Sequence, residues 1–170
     1  VVAHINSLEL TTWQIYTDGS KRDNLTGAGF YAKVNNQEVA AQFCQLIGTY
    51  PSVFQCELFA LLEAASWALD NIPPSSIISF FSDSQAAINS INSTYCNNSI
   101  ARSTIDTLNS LGAVNKVNLL WVPGHFDIPG NDRADELARK GSSEQPIGPE
   151  PFLPFSKNHS NTEIRNSTLD

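Results

Sequence analysis

Methionine is absent from the 170-residue sequence, even at position 1, so we do not expect a complete translation product. A fragment, a processed product or a piece of a polyprotein would explain this absence. Only three cysteines are present, and Cys44, Cys56 and Cys96 show no paired spacing. Their odd number argues against a disulfide framework and against a zinc site. Buried thiols in a reducing compartment are the better interpretation.

Long apolar runs are also missing from the sequence. No stretch approaches the ~20 residues needed to span a bilayer. The first residues, Val1 to His4, lack the basic and then apolar pattern of a secretory signal. We therefore expect an intracellular protein, nuclear or cytoplasmic, that is not secreted and has no membrane partner.

Basic residues are outnumbered by acidic ones, with 10 Lys and Arg against 17 Asp and Glu, for a net charge of −7. This is the wrong sign for a protein that holds a polyanion by surface charge alone. The hydrophobic fraction of 41% still predicts one packed core and excludes a disordered chain. We expect a single domain over 12–141, between a leader at 1–11 and a Pro-, Ser- and Asn-rich tail or linker at 142–170.

The apolar pattern predicts the element order β-β-β-α-β-α-α-β-α. The first strand, 13–17, is expected to end in a turn at Asp18-Gly19-Ser20. Strands over 27–34 and 38–47, joined at Asn35-Asn36, would complete an antiparallel meander. The other elements are predicted as helix, strand, helix, helix, strand and helix, over 53–69, 77–81, 83–92, 100–111, 116–122 and 132–140.

Four acidic residues lie at or beside the predicted carboxyl ends of strands, where the sites of α/β sheets collect. Asp18 and Asp83 follow strands, Glu57 lies in the first turns of the long helix, and Asp135 lies in the last helix. If the strands are neighbours, the carboxylates converge and repel one another, so the cluster is stable as anions only with cations bound. Hard oxygen ligands of this kind suit Mg²⁺ or Mn²⁺.

Each of these residues, taken alone, has a simpler structural interpretation. Asp18 before a glycine is typical of a turn, and Asp83 before a serine is typical of a helix N-cap. Glu57 would complement a helix dipole, and Asp135, four residues before an arginine, would form an ordinary helical ion pair. His125, in a Pro-Gly-His loop, is typical of a surface histidine. Their chain order and their contexts, taken together, favour one common site.

The sequence resembles type 1 ribonuclease H over about residues 12–141. Four motifs carry the resemblance in that family's chain order: Tyr16-Thr17-Asp18-Gly19-Ser20, Gln55-Cys56-Glu57-Leu58, Ser82-Asp83-Ser84-Gln85, and Trp121-Val122-Pro123-Gly124-His125 followed by Gly130-Asn131-Asp132-Arg133-Ala134-Asp135. Within the family the chain is most similar to the ribonuclease H domain that follows reverse transcriptase in non-LTR retrotransposons. This similarity is most evident over 54–60 and 124–141.

The resemblance implies an α/β fold of the ribonuclease H type. Its five-stranded mixed sheet would have the order 3-2-1-4-5, with strand 2 antiparallel, and would be flanked by helices. It also implies an endonuclease that hydrolyses the RNA strand of RNA·DNA hybrids with two Mg²⁺ ions, for which Mn²⁺ can substitute. The products would carry 5′-phosphate and 3′-hydroxyl ends.

The resemblance assigns roles to individual residues by motif position. Asp18, Glu57, Asp83 and Asp135 would be catalytic metal ligands, with Asp18 bridging the two ions. His125 would assist proton transfer or product release, a task that suits a side chain titrating near neutral pH. The RNA 2′-hydroxyl would be recognised by the segment of Gly19 and Ser20 together with Ser84 and Gln85, although Gln85 has the alternative of being a plain helix-surface residue.

The sequence departs from the bacterial members of this family, which carry an inserted basic helix. The corresponding stretch, 98–116, contains only Arg102 and Lys116 as cations. We therefore expect weak isolated affinity for a hybrid, with an adjacent reverse transcriptase domain raising the effective concentration. Two alternatives stay open: a noncatalytic spacer or docking domain of the same fold, and a domesticated domain outside any transposon. A proofreading-type exonuclease is disfavoured. Those enzymes have a Glu two residues after the first Asp, and in this sequence that position is Ser20.

Overall fold

The computed structural model describes residues 13–35, 41–93, 98–124 and 127–144. These ranges do not include the predicted leader or nearly all of the predicted tail. They also do not include Asn36 and Cys96. Five strands are described: β1 (Trp13–Arg22), β2 (Leu25–Val34), β3 (Ala41–Gly48), β4 (Ile77–Ser82) and β5 (Lys116–Trp121). Four helices are described within the same ranges: α1 (Val53–Asn71), α2 (Gln85–Ile91), α3 (Ser99–Gly112) and α4 (Pro129–Gly141).

The strands form one mixed sheet in the order β3-β2-β1-β4-β5. β2 pairs antiparallel with both β1 and β3, whereas β4 pairs parallel with β1 and β5. This topology confirms the predicted ribonuclease H-like fold. Because β1 and β4 are neighbours, residues far apart in sequence meet at their carboxyl ends.

The two faces of the sheet bury different helices. Successive side chains of a strand point to opposite faces, and Ile15 packs in a cluster with Leu61 of α1 while Tyr16 packs in a cluster with Ala134 of α4. The helix α1 begins with a capping box, in which Ser52 Oγ accepts from the backbone N–H of Gln55 and Gln55 accepts in return. These contacts fix the start of α1 one turn before Glu57.

The predicted end of the first strand is wrong. β1 continues through Asp18 and Gly19 to Arg22, and the chain turns at Asp23 and Asn24, whose φ angles are 47° and 68°. The reason is that β2 supplies backbone partners along all of β1, with Asp18 opposite Gly29. What ends near Asp18 is the parallel pairing with β4, whose last partners are Thr17 and Ser82.

The predicted start of the last helix is also wrong. α4 begins at Pro129, three residues before the expected Asp132. Proline suits the first helical position, because the N–H that it lacks would have no partner there. Within the described part of the chain, no helix has both the length and the apolar character that crossing a membrane would require.

Candidate active site

An acidic cavity of about 370 Å³ lies at the carboxyl end of β4 and over the middle of β1. It is lined by residues of β1, α1, the β4–α2 connection and α4: Asp18, Gly19, Ser20, Lys21, Glu57, Asp83, Asn131, Asp132, Asp135 and Arg139. All four carboxylates that the sequence analysis grouped are among these residues. The sheet order explains their meeting, since β1 and β4 are hydrogen-bonded neighbours.

Three of the carboxylates form a tight cluster. Asp18, Glu57 and Asp83 each offer one oxygen, and these oxygens all lie within 4.8 Å of one another. Asp18 and Glu57 are buried, and each residue is 7% exposed. Asp135 approaches Asp18 from α4 and also forms an ion pair with Arg139, with 2.8 Å between Oδ1 and Nε. The structure thus places one partly neutralised and three closely spaced carboxylates together.

The electrostatics of the cluster follow from burial and mutual repulsion. Burial is the largest cause that raises the pKa of Asp18 to about 7, and the charges of Asp83 and Asp135 add to it. Burial likewise raises the pKa of Glu57 well above its usual value, followed by the charges of Asp18 and Asp83. A hydrogen bond from the backbone N–H of Gly19 acts in the opposite direction on both groups.

The residues present fit a divalent cation. Glu57 Oε2 is buried and has no hydrogen-bond partner, so the fold leaves a carboxylate oxygen beside two other carboxylates without a proton donor. Carboxylate oxygens are the ligands that hard cations such as Mg²⁺ and Mn²⁺ prefer. Positive charge would also relieve the repulsion that raises the pKa of Asp18. Asp18, Glu57 and Asp83 could hold such an ion, and Asp135 is the adjacent fourth carboxylate.

The other predicted site residues have more varied positions. Gly19 and Ser20 line the cavity. A Cβ on Gly19 would lie 2.6 Å from the backbone nitrogen of Glu57, so only glycine lets α1 come this close to β1. Ser84, rather than Asp83, is the N-cap of α2, where its Oγ accepts from the backbone N–H of Ala87. Gln85 is the exposed first residue of α2, and His125 lies outside the described residues.

Sequence reasoning missed Asn131, which also lines the cavity. Its Nδ2 donates to Asp83 Oδ2 over 3.4 Å, and the residue is 3% exposed. The four-residue spacing could have indicated Asn131 as a site residue. It precedes Asp135 by one helical turn and therefore lies on the same face of α4. Lys21 and Arg139 supply the cationic side chains of the cavity lining.

Solved structures share this fold at low sequence identity. RNase H1 of the halophilic archaeon Halobacterium salinarum NRC-1 matches with a TM-score of 0.63 and 22% identity, covering 79% of this chain and 99% of that one. The N-terminal RNase H domain of Rv2228c from Mycobacterium tuberculosis, fused to maltose-binding protein, matches with a TM-score of 0.61 and 20% identity, covering 78% and 99%. The foamy viral protease-reverse transcriptase in complex with RNA/DNA hybrid matches with a TM-score of 0.65 and 21% identity, covering 79% of this chain and 20% of that one.

The comparison with curated proteins finds no significant match. A family model, by contrast, does match the sequence. The family model described as RNase H matches residues 11–143, which include all four candidate carboxylates. Because the match spans most of the sequence, the chain belongs to the RNase H family.

Proposed function

We propose that this chain is a divalent-metal-dependent endonuclease that hydrolyses the RNA strand of RNA·DNA hybrids. The observation that carries the proposal is the cluster of buried Asp18 and Glu57 with half-buried Asp83, whose oxygens lie within 4.8 Å of one another. Burial raises the pKa of both Asp18 and Glu57, so keeping these groups ionised opposes folding. A spacer or docking domain would be more stable without them, and their presence favours catalysis.

The proposed cofactor is Mg²⁺, two ions in all, with Mn²⁺ as a substitute. Asp18, Glu57, Asp83 and Asp135 would hold the ions. When bound, two such ions would supply activation of a water and stabilisation of the leaving oxygen of a phosphodiester. Cleavage in this way would leave 5′-phosphate and 3′-hydroxyl ends.

The protonation state of the acidic side chains determines whether they can bind a metal ion. A carboxylate must lose its proton to act as a ligand, and the pKa of Asp18 is raised to about 7. We therefore expect activity to rise with pH through the neutral range as Asp18 becomes deprotonated. His125 would assist proton transfer or product release.

Recognition of the RNA strand requires contact with the 2′-hydroxyl, which distinguishes RNA from DNA. Gly19 and Ser20 line the cavity beside Asp18, and Ser84 and Gln85 follow Asp83 directly at the start of α2. We assign the recognition of the ribose to these four residues. Lys21 also lines the cavity and would contribute a phosphate contact.

The biological setting that we propose is a retrotransposon reverse transcriptase, or a protein derived from one. The net charge of −7 opposes tight binding to a nucleic acid, and an adjacent polymerase domain would raise the effective concentration of the hybrid. The similarity to a foamy viral reverse transcriptase in complex with RNA/DNA hybrid supports this setting. A nuclear or cytoplasmic location would follow.

The decisive experiment is a cleavage assay on a hybrid with labelled RNA in Mg²⁺ or Mn²⁺. The wild type should cut the RNA strand and spare duplex DNA. Asp18→Asn and Asp83→Asn should lose more than the roughly 10–100-fold typical of a lost outer-shell partner, whereas Asp106→Asn, at an exposed position of α3, should retain activity. A wild type that stays inert, even when fused to a polymerase segment, would support the noncatalytic alternative.

A further inference from the structure

Asp83 is the one carboxylate of the tight cluster that lies outside regular structure. Glu57 belongs to α1 and Asp18 to β1, whereas Asp83 stands between the last residue of β4, Ser82, and the N-cap of α2, Ser84. Neither a helix nor a sheet ladder therefore fixes its side chain. Its orientation depends on contacts from neighbouring elements.

The main chain of Asp83 is held by a side chain from β5. Trp121 Nε1 donates to the carbonyl oxygen of Asp83 over 3.0 Å. Trp121 is the last residue of β5 and is paired with Ser82, and the backbone N–H of Val122 donates to Ser82 O over 3.0 Å. The indole thus extends the pairing of β4 and β5 by one donor beyond the last strand residue. The residue Trp121 is 43% exposed, so burial in the core does not account for its position.

The side chain of Asp83 is held from the opposite side by α4. Asn131 Nδ2 donates to Asp83 Oδ2 over 3.4 Å, while Asn131 Oδ1 is buried without a partner. A buried amide with one unsatisfied atom opposes folding, so stability alone does not explain an asparagine here. Gly124 also lies close to this carboxylate, because a Cβ at its position would lie 2.8 Å from Asp83 Oδ2.

We propose that Trp121 and Asn131 are positioning residues that fix the orientation of the Asp83 carboxylate toward Asp18 and Glu57. Trp121 anchors the backbone, and Asn131 sets the rotation of the side chain. Asn131 lies one turn before Asp135 on α4, so the same contact holds the helix that carries Asp135 against the end of β4. This inference rests on the proposed function, because it assigns the two residues a role at that site.

The sharpest test is Trp121→Phe, which removes the indole N–H and keeps an aromatic ring. Its matched control is Trp67→Phe, since Trp67 packs on Phe30 in the core, away from the cavity. Asn131→Ala removes the second contact, and Asn131→Asp replaces the donor by an acceptor that faces Asp83 Oδ2. Because Asn131 is buried and its variants can fail to fold, the exposed Trp121 keeps the inference testable.

Four quantities should be measured for each folded variant: kcat and KM for hybrid cleavage, the Mn²⁺ dissociation constant by calorimetry, and Tm in EDTA. We expect Trp121→Phe and Asn131→Ala each to lower kcat about 10-fold or more and to weaken Mn²⁺ binding several-fold, with little change in KM. Trp67→Phe should lower Tm and leave kcat and the Mn²⁺ dissociation constant unchanged. A purely structural role would move Tm without moving kcat.

The outcomes separate this inference from the proposed function. Wild-type protein that cuts no hybrid contradicts the proposed function, yet the Mn²⁺ dissociation constants of the variants still test the positioning. Folded Trp121→Phe and Asn131→Ala proteins with wild-type kcat and wild-type Mn²⁺ affinity would overturn the inference. A non-additive double variant would support it further, because both residues act through one carboxylate.

Discussion

Replacing Asp18 by asparagine should stabilise the metal-free protein while abolishing its activity. Asp18 is buried in β1, and burial followed by the charges of Asp83 and Asp135 raises its pKa to about 7. The charge of Asp18 is also the second cause, after burial, that raises the pKa of Glu57. Asparagine keeps the shape of the side chain and removes the charge, so the repulsion between position 18 and Glu57, Asp83 and Asp135 is lost.

The magnitude follows from the difference between 3.8 in an unperturbed aspartate and about 7 in the folded chain. A tenfold change in proton affinity corresponds to roughly 1.4 kcal/mol, so ionised Asp18 opposes folding by about 4 kcal/mol. Below pH 3.8 the group is protonated in both states and the substitution is nearly neutral. Between pH 3.8 and about 7 the native state binds the extra proton, so wild-type stability falls as pH rises. The advantage of the variant should therefore grow across this window and level off above it.

Thermal unfolding in EDTA from pH 4 to pH 8 measures this prediction directly. For a chain of this length, Asp18→Asn should raise Tm by on the order of 10 °C at pH 8 and by little at pH 4. Asp106→Asn controls for the loss of one negative charge at an exposed site, and it should show no such pH dependence. A variant no more stable than the wild type at pH 8 would refute the account of the cluster as mutually repulsive.

Three further predictions concern the metal and the packing. Mg²⁺ at 100 times its dissociation constant should raise the free energy of unfolding of the wild type by about 2.7 kcal/mol, and that of Asp18→Asn by much less, in thermal melts. Gly27→Ala should lower it by about 2 kcal/mol or more in urea unfolding, because the new Cβ would lie 2.3 Å from Ala138 O of α4. Its control, Gly112→Ala, has open space around the new Cβ and should change stability by less than about 1 kcal/mol; equal effects would contradict the packing argument. Ser52→Ala should cost about 1 kcal/mol in the same urea assay by removing the cap of α1, and should leave hybrid cleavage unchanged.

The elements with strong apolar patterns were predictable from the sequence. The helix that the apolar pattern predicts over 53–69 corresponds to α1, and the apolar run Ile77 to Phe81 lies in β4. Both apolar patterns arise because much of each segment is packed into the core, so several residues of each segment carry the same information. The sheet order, by contrast, was implied by the family resemblance, since no local pattern states which strands are neighbours.

The failed predictions concern local signals that have two physical meanings. The dipeptide Asp18-Gly19 is typical of a turn, whereas here Gly19 continues the strand and provides the space for the backbone of Glu57. Trp121 has the appearance of an ordinary strand residue, and its contact with Asp83 depends on the pairing of β5 with β4. Such contacts arise from tertiary neighbours, and the residues alone do not specify them.

The distance between Asp18 and Asp135 is set by a residue that carries no charge. Gly29 is the cross-strand partner of Asp18, and a Cβ on Gly29 would lie 2.5 Å from Ala138 N and 2.9 Å from Ala134 O. The turn of α4 that carries Asp135 therefore rests directly on the backbone opposite Asp18. Any side chain at Gly29 would push this turn outward and separate the two carboxylates. The close approach of α4 to β2 thus brings the charge of Asp135 near Asp18, where it adds to the burial and the charge of Asp83 that raise the pKa of Asp18.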